Sequence, residues 1–216
     1  MRSRFDEQLA ELNRELVGMG AMCEEMIALA AKSLLDGDKA LASKAMSMEP
    51  EIDRSERGIE SMCLKLLLQQ QPVARDLRQI SAALKMITDM ERIGDQAADI
   101  AEIILYLGGR TAESGELIRG MAVATIKMVT DSIGAFVSRN VAAARAVIEY
   151  DDVVDGFFRR VKQAIISLIA AHPDDGEYAL DLLMIAKYFE RIGDHAVNIA
   201  EWVVFSVTGE HNGTHI

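Results

Sequence analysis

Apolar residues recur along this chain at the three- and four-residue spacing of a helix face, over runs longer than most globular helices. In segment 73–107, a step of about 100° per residue puts Leu77, Ile80, Leu84, Ile87, Met90, Ile93 and Ala97 on one broad arc. Arg78, Lys85, Asp89 and Gln96 fall on the opposite arc, so the pattern predicts a bundle helix with a dry side and a wet side. Glycines and small polar residues interrupt the pattern near 36–38, 69–73, 108–115, 138–140 and 172–176, with Pro72 and Pro173 at two of the breaks. Six helices are predicted, at about 5–35, 38–70, 73–107, 115–138, 140–171 and 176–207. Each would be about 35–50 Å long. Pro50 falls inside the second and predicts a kink there.

The six helices are two copies of three. ERIGDQAADIAE at 91–102 and ERIGDHAVNIAE at 190–201 agree at nine of twelve positions. Upstream, 34–53 aligns with 136–155, with three fewer residues between the blocks in the second copy. The fold class is therefore all-α, two tandem, repeat-related three-helix bundles: residues 1–108, residues 109–208, and a flexible tail at 209–216.

Composition narrows the function classes. The net charge of -11 argues against a basic, phosphate-seeking nucleic-acid face. Only 5% aromatic residues and three prolines suit an all-α chain, and the 12 methionines read as ordinary core filling. Two cysteines, Cys23 and Cys63, are too few for a disulfide framework. The first residues carry acids where a secretory signal needs an apolar run, and no uninterrupted apolar stretch reaches membrane-spanning length, the nearest being residues 164–171. A cytoplasmic protein with no direct membrane span is expected.

The candidate chemistry lies in carboxylates. Glu49 with Asp53, Glu91 with Asp95, Asp151 with Asp155 and Glu190 with Asp194 are spaced i, i+4, so each pair shares one helix face. Such like-charge neighbours cost a helix about 0.2–0.5 kcal/mol per pair, and four in repeat-related places ask for a cause. In an antiparallel hairpin, residues whose numbers are centred on the turn face each other. Glu49 and Asp95, like Asp53 and Glu91, are centred on Pro72. Asp151 and Asp194, like Asp155 and Glu190, are centred between His172 and Pro173. Two clusters of four acids are expected, one per half. Oxygen donors without thiolate suit iron, Mn²⁺, Mg²⁺ or Ca²⁺ and not structural zinc. Asp99 and its counterpart Asn198 stand one turn further along and could each add a ligand. His195 points about 100° away from Asp194 and reads as an outer or surface group. Gly94 and Gly193 either let helices approach closely or clear room beside the acids, close packing being preferred. The competing reading is a solvated helix edge, its acids paired with Arg57, Arg92, Arg159 or Arg191.

With these residues in view, the chain resembles the PhoU family of accessory regulators of phosphate-specific transport. The resemblance rests on LLLQQQPVARDLRQISAALKMITDMERIGD in the first half and YFERIGDHAVNIAEWVVFSVTGE in the second. It implies E/D-x-x-x-D metal motifs at Glu49, Asp53, Glu91, Asp95, Asp151, Asp155, Glu190 and Asp194, holding divalent or iron cations. It also implies a negative regulator of the phosphate-starvation response that contacts the ATPase subunit of an ABC phosphate transporter and a sensor histidine kinase, as a homodimer. Asp99 replaces a common Asn, Gln96 replaces a common His, and Pro50 beside Glu49 is a further departure. An enzyme is disfavoured: bundled di-iron enzymes present Glu-x-x-His, whereas Gly94 and Gly193 stand three residues after Glu91 and Glu190. The P-loop and nucleophile-elbow patterns are also missing. A metal-buffering helical scaffold is the remaining alternative.

Overall fold

The computed structural model describes residues 2–70, 72–111, 115–211 and 214–215. Six long helices carry the chain: α1 (Arg2–Asp36), α2 (Lys39–Gln70), α3 (Ala74–Tyr106), α4 (Gly115–Ser138), α5 (Val141–Ala171) and α6 (Gly176–Thr208). A 3₁₀ turn, Pro173–Asp175, leads into α6. Glu210–His211 pairs antiparallel with Thr214–His215 within the segment expected as a flexible tail, of which residues 212, 213 and 216 lie outside the described residues. Pro50 is accommodated inside α2, which runs on to Gln70.

The helix ends repeat with the sequence. Gly37 and Arg139, equivalent in the two halves, both adopt left-handed φ, +69° and +54°. Each ends its helix by turning the next amide back, Asp38 N to Ser33 O at 3.2 Å and Asn140 N to Ala135 O at 2.9 Å. The next residue caps the following helix: Asp38 Oδ1 accepts from Ala40 N, and Asn140 Oδ1 accepts from Ala143 N.

Within each half the three helices pack on one another, and the halves join through α3 against α6 and α1 against α4. α3 and α6 run antiparallel. Arg110 beyond α3 reaches Asp175 ahead of α6, while Gly209 beyond α6 lies against Arg78 near the start of α3. One continuous apolar cluster spans both halves, including Leu12, Leu16, Met26, Ile52, Met90, Phe136 and Phe189. Burying such a side chain contributes about 1.5–3 kcal/mol, which ties the halves together.

Two expectations for α3 need correction. Leu77, placed on the dry arc, is exposed because it lies on the first turn, where neighbouring helices no longer cover it. The wet arc is not uniformly wet, since Asp89 and Gln96 are partly covered and Asp89 is bonded to α6. Among the described residues, α4 alone is long and apolar enough to cross a membrane by length and composition. No apolar run betrayed it, because scattered small and polar residues break its sequence while charges stay few. Its apolar residues Ile118, Met121, Met128, Ile133 and Phe136 are spent on the bundle interior.

Candidate functional site

Antiparallel pairing of α5 with α6 brings the second set of acids into mutual influence. Asp151 is pushed up from 3.8 to about 6, first by burial and then by Asp155, Asp194, Glu190 and Asp152. Asp194, the most exposed of the four ligand candidates, is also raised, by partial burial and Glu190, with Lys187 and His195 offsetting. Lys187 hydrogen-bonds Glu190, and its ammonium lies 5.6 Å above the Phe158 ring. The lysine neutralises one acid while four carboxylates share the seam.

Gly193 belongs to this arrangement. A Cβ there would stand 3.3 Å from Asp151 Oδ1 and 3.4 Å from Val154 Cγ1, so the missing side chain makes room for a carboxylate as well as for packing. Its counterpart Gly94 does the other job, since a Cβ would meet buried Ile52 at 3.0 and 3.3 Å. The preference for close packing thus describes Gly94 fully and Gly193 in part.

The first set is paired differently. Glu91 is raised by burial, then by Asp95, Glu56 and Asp53, with Arg92 working against them. Arg57 donates to Asp53 at 3.1 Å, Arg92 donates to Asp95 at 3.0 Å and its Nε lies 3.5 Å from Glu91. These contacts match the solvated-edge reading for Arg57 and Arg92. Glu49 is half-buried on α2, and Glu56 rather than Glu49 is among the charges that act on Glu91. Glu56 is itself raised by burial, Glu60 and Asp53. Sequence reasoning passed over it because its repeat counterpart is Phe158.

Asp99 and Asn198, expected to extend the two acid rows, face across the molecule. Asp99 accepts a hydrogen bond from Tyr188 of α6 while still feeling Asp95. Asn198 Nδ2 donates to Asp89 of α3 at 3.0 Å. His195 Nδ1 lies 2.9 Å from the same Asp89 oxygen, an acceptor that holds the proton on Nδ1. Asp89 and Tyr188 are themselves repeat counterparts, so the α3–α6 seam carries one polar contact twice with different chemistry. The signal lay in that equivalence, hidden because Asp and Tyr share no side-chain class.

Among the described residues, no group of three or more His, Cys, Asp or Glu stands close enough to hold a metal ion as the side chains are placed. The donors still fit a hard cation by chemistry: oxygen only, partly desolvated, and in the second half carrying more negative charge than Lys187 offsets.

The PhoU domain pattern matches residues 16–104 and again 118–203, taking in both acid rows and both halves of the bundle. The chain belongs to the PhoU family. It is 34% identical over 211 residues to the phosphate-specific transport system accessory protein PhoU homolog of Clostridium acetobutylicum, covering 97% of this chain and 96% of that one. The homolog of Pseudomonas aeruginosa is 32% identical over 212 residues, covering 95% and 86%. The crystal structure of PhoU from Pseudomonas aeruginosa superposes with a TM-score of 0.89 at 31% identity, covering 95% of this chain and all of that one. That of the phosphate transport system regulatory protein PhoU from Streptococcus pneumoniae gives 0.86 at 28%, covering 95% and 98%. The PhoU fold is therefore present in full, as two tandem repeats.

Proposed function

We propose that this PhoU protein is a non-enzymatic negative regulator of phosphate uptake and phosphate-starvation signalling. It acts in the cytoplasm, coupling the ATPase subunit of an ABC phosphate transporter to a sensor histidine kinase. The observation that carries the reading is the near full-length likeness, in both repeats, to phosphate-specific transport accessory proteins. Long helices in a single packed body supply rigid faces for such contacts. Deleting the gene and assaying alkaline phosphatase in phosphate-rich medium tests it. Derepression is expected, and an unchanged level would sink the regulatory role. Co-purification with the transporter ATPase tests the contact, and light scattering tests the homodimer.

Asp151, Asp155, Glu190 and Asp194 are proposed to hold iron, Mn²⁺ or Mg²⁺, and Asp53, Glu91 and Asp95 a second cation with Glu49 or Glu56. Bound cation would supply charge neutralisation for the crowded carboxylates. The chain's own part is to place the acids on facing helices, with Gly193 leaving space beside Asp151. Arg57, Arg92 and Lys187 would have to give way, so the second half, with one competing cation, is expected to load first. Elemental analysis of gently purified protein, with Asp95→Ala and Asp194→Ala as the losing variants, decides between this and the metal-free edge. Metal retained together with unchanged alkaline phosphatase would favour the metal-buffering scaffold.

A further inference from the structure

At the end of the molecule where α3 begins and α4 ends, an open cleft of about 350 Å³ is lined by Asp6, Asn13, Arg75, Asp76, Gln79 and Arg139. Arg75 and Arg139 both line it, and Arg78 stands one helix turn after Arg75 on α3. Arg139 feels both Arg75 and Arg78, and burial together with these like charges lowers its affinity for its proton, with Asp76 partly compensating. Arg14, Arg54, Arg57, Arg92, Arg110 and Arg119 are each paired with a carboxylate. Arg75, Arg78 and Arg139, like Arg4, Arg145, Arg159, Arg160 and Arg191, form no carboxylate ion pair among the described residues; what sets the cleft apart is that Arg139 donates to the neutral amide of buried Gln79 at 2.7 Å and that the Nε of Arg78 is buried without a partner. Asp6 and Asp76 line the same cleft but form no ion pair with these guanidinium groups among the described residues, which leaves N–H donors for another anion.

The backbone adds an independent observation. Arg139 holds φ +54° where its repeat counterpart is Gly37, the residue that adopts this conformation without cost. At the pseudo-equivalent opposite end, Asp174 and Glu177 stand in place of Arg75 and Arg78. There Arg110 is consumed by Asp175 and lies 3.7 Å above the Tyr178 ring. One end of a duplicated frame has thus exchanged acids and a glycine for three arginines.

We infer that this arginine cleft binds a small phosphate-class oxyanion. The guanidinium forks supply donors for its oxygens, and the acceptors sort it from other anions. Asn13 Oδ1 is buried without a partner, and Asp6 and Asp76 line the same space. At neutral pH inorganic phosphate, like the protonated form of pyrophosphate, still carries a P–OH that such acceptors can receive, whereas sulfate carries none. The site is separate from the carboxylate rows and does not depend on the proposed signalling role.

Calorimetric titration of the full chain at low ionic strength with inorganic phosphate, pyrophosphate and sulfate tests the inference. Saturable binding of phosphate or pyrophosphate, tighter than sulfate, is expected. It should weaken about tenfold or more in Arg139→Gly, whose backbone suits glycine, and in Arg75→Gln, an exposed change. Arg110→Gln at the opposite end should leave it unchanged, and far-UV circular dichroism checks folding of each variant. Tighter pyrophosphate binding would mark a phosphorylated small molecule as the occupant, and equal affinity free phosphate. No saturation at concentrations on the order of 10 mM, sulfate binding as tightly, or undiminished affinity in both folded cleft variants overturns it.

Discussion

Asp151 concentrates the electrostatic cost of the acid row. Its folded-state value of about 6 lies above the ordinary 3.8, so protonation favours the native state. That contribution is complete below the ordinary value and is lost as pH rises through about 6. In chelator-treated protein, stability should therefore fall between about pH 4 and pH 6, and Asp151→Asn should flatten the decline. Discounted for solvent screening, the variant should gain about 1 kcal/mol at pH 7, read from denaturant midpoints at both ends of the range. The repeat-related glycines give a second comparison. Gly94→Ala forces buried Ile52 to move, and despite a helix-propensity gain of about 1 kcal/mol it should lose about 1 kcal/mol overall. Gly193→Ala should cost less, because a half-buried carboxylate can give by the few tenths of an ångström required.

Between elements, the α3–α6 seam does what neither repeat does alone. Asp89 accepts from His195 and Asn198, and Tyr188 donates to Asp99 at the related place. Asp89→Ala strips two donors of their acceptor and should cost about 1–2 kcal/mol in urea unfolding. A double-mutant cycle with His195→Ala should show coupling, and simple additivity would mean the contact is not energetically joined. Helix periodicity could not reveal this seam, because a polar side chain that bonds another half of the molecule reads as solvent-facing. The hairpin registers were legible, since turn-centred numbering put Asp151 opposite Asp194 and Asp53 opposite Glu91, and those acids do act on one another.

Across the whole molecule, one apolar cluster makes the two repeats a single packed body. Cys23 and Cys63 report on it: burial drives both thiols up to about 12, and Cys23 Sγ lies 3.4 Å from Met90 O. Both should resist aromatic disulfide reagents in native protein and react as denaturant opens the bundle. Rapid native reaction would mean that the bundle opens locally. The same packing explains α4, whose composition would suit a membrane but whose apolar face is occupied by its neighbours.

The amino-acid sequence by itself determined the six helices, the duplication, the hairpin registers and the oxygen-only character of the acid rows. Those properties follow from periodicity, breakers and residue chemistry along one chain. Only the tertiary structure decided which charges are answered. It tied Asp53 and Asp95 to arginines, left Asp151 crowded, turned Asp99 and Asn198 across the seam, and set Arg139 beside Arg75 and Arg78 with its hydrogen bond going to neutral Gln79. The reason is physical: a side chain's electrostatic state depends on burial and on neighbours brought from distant sequence, and helix spacing carries no record of either.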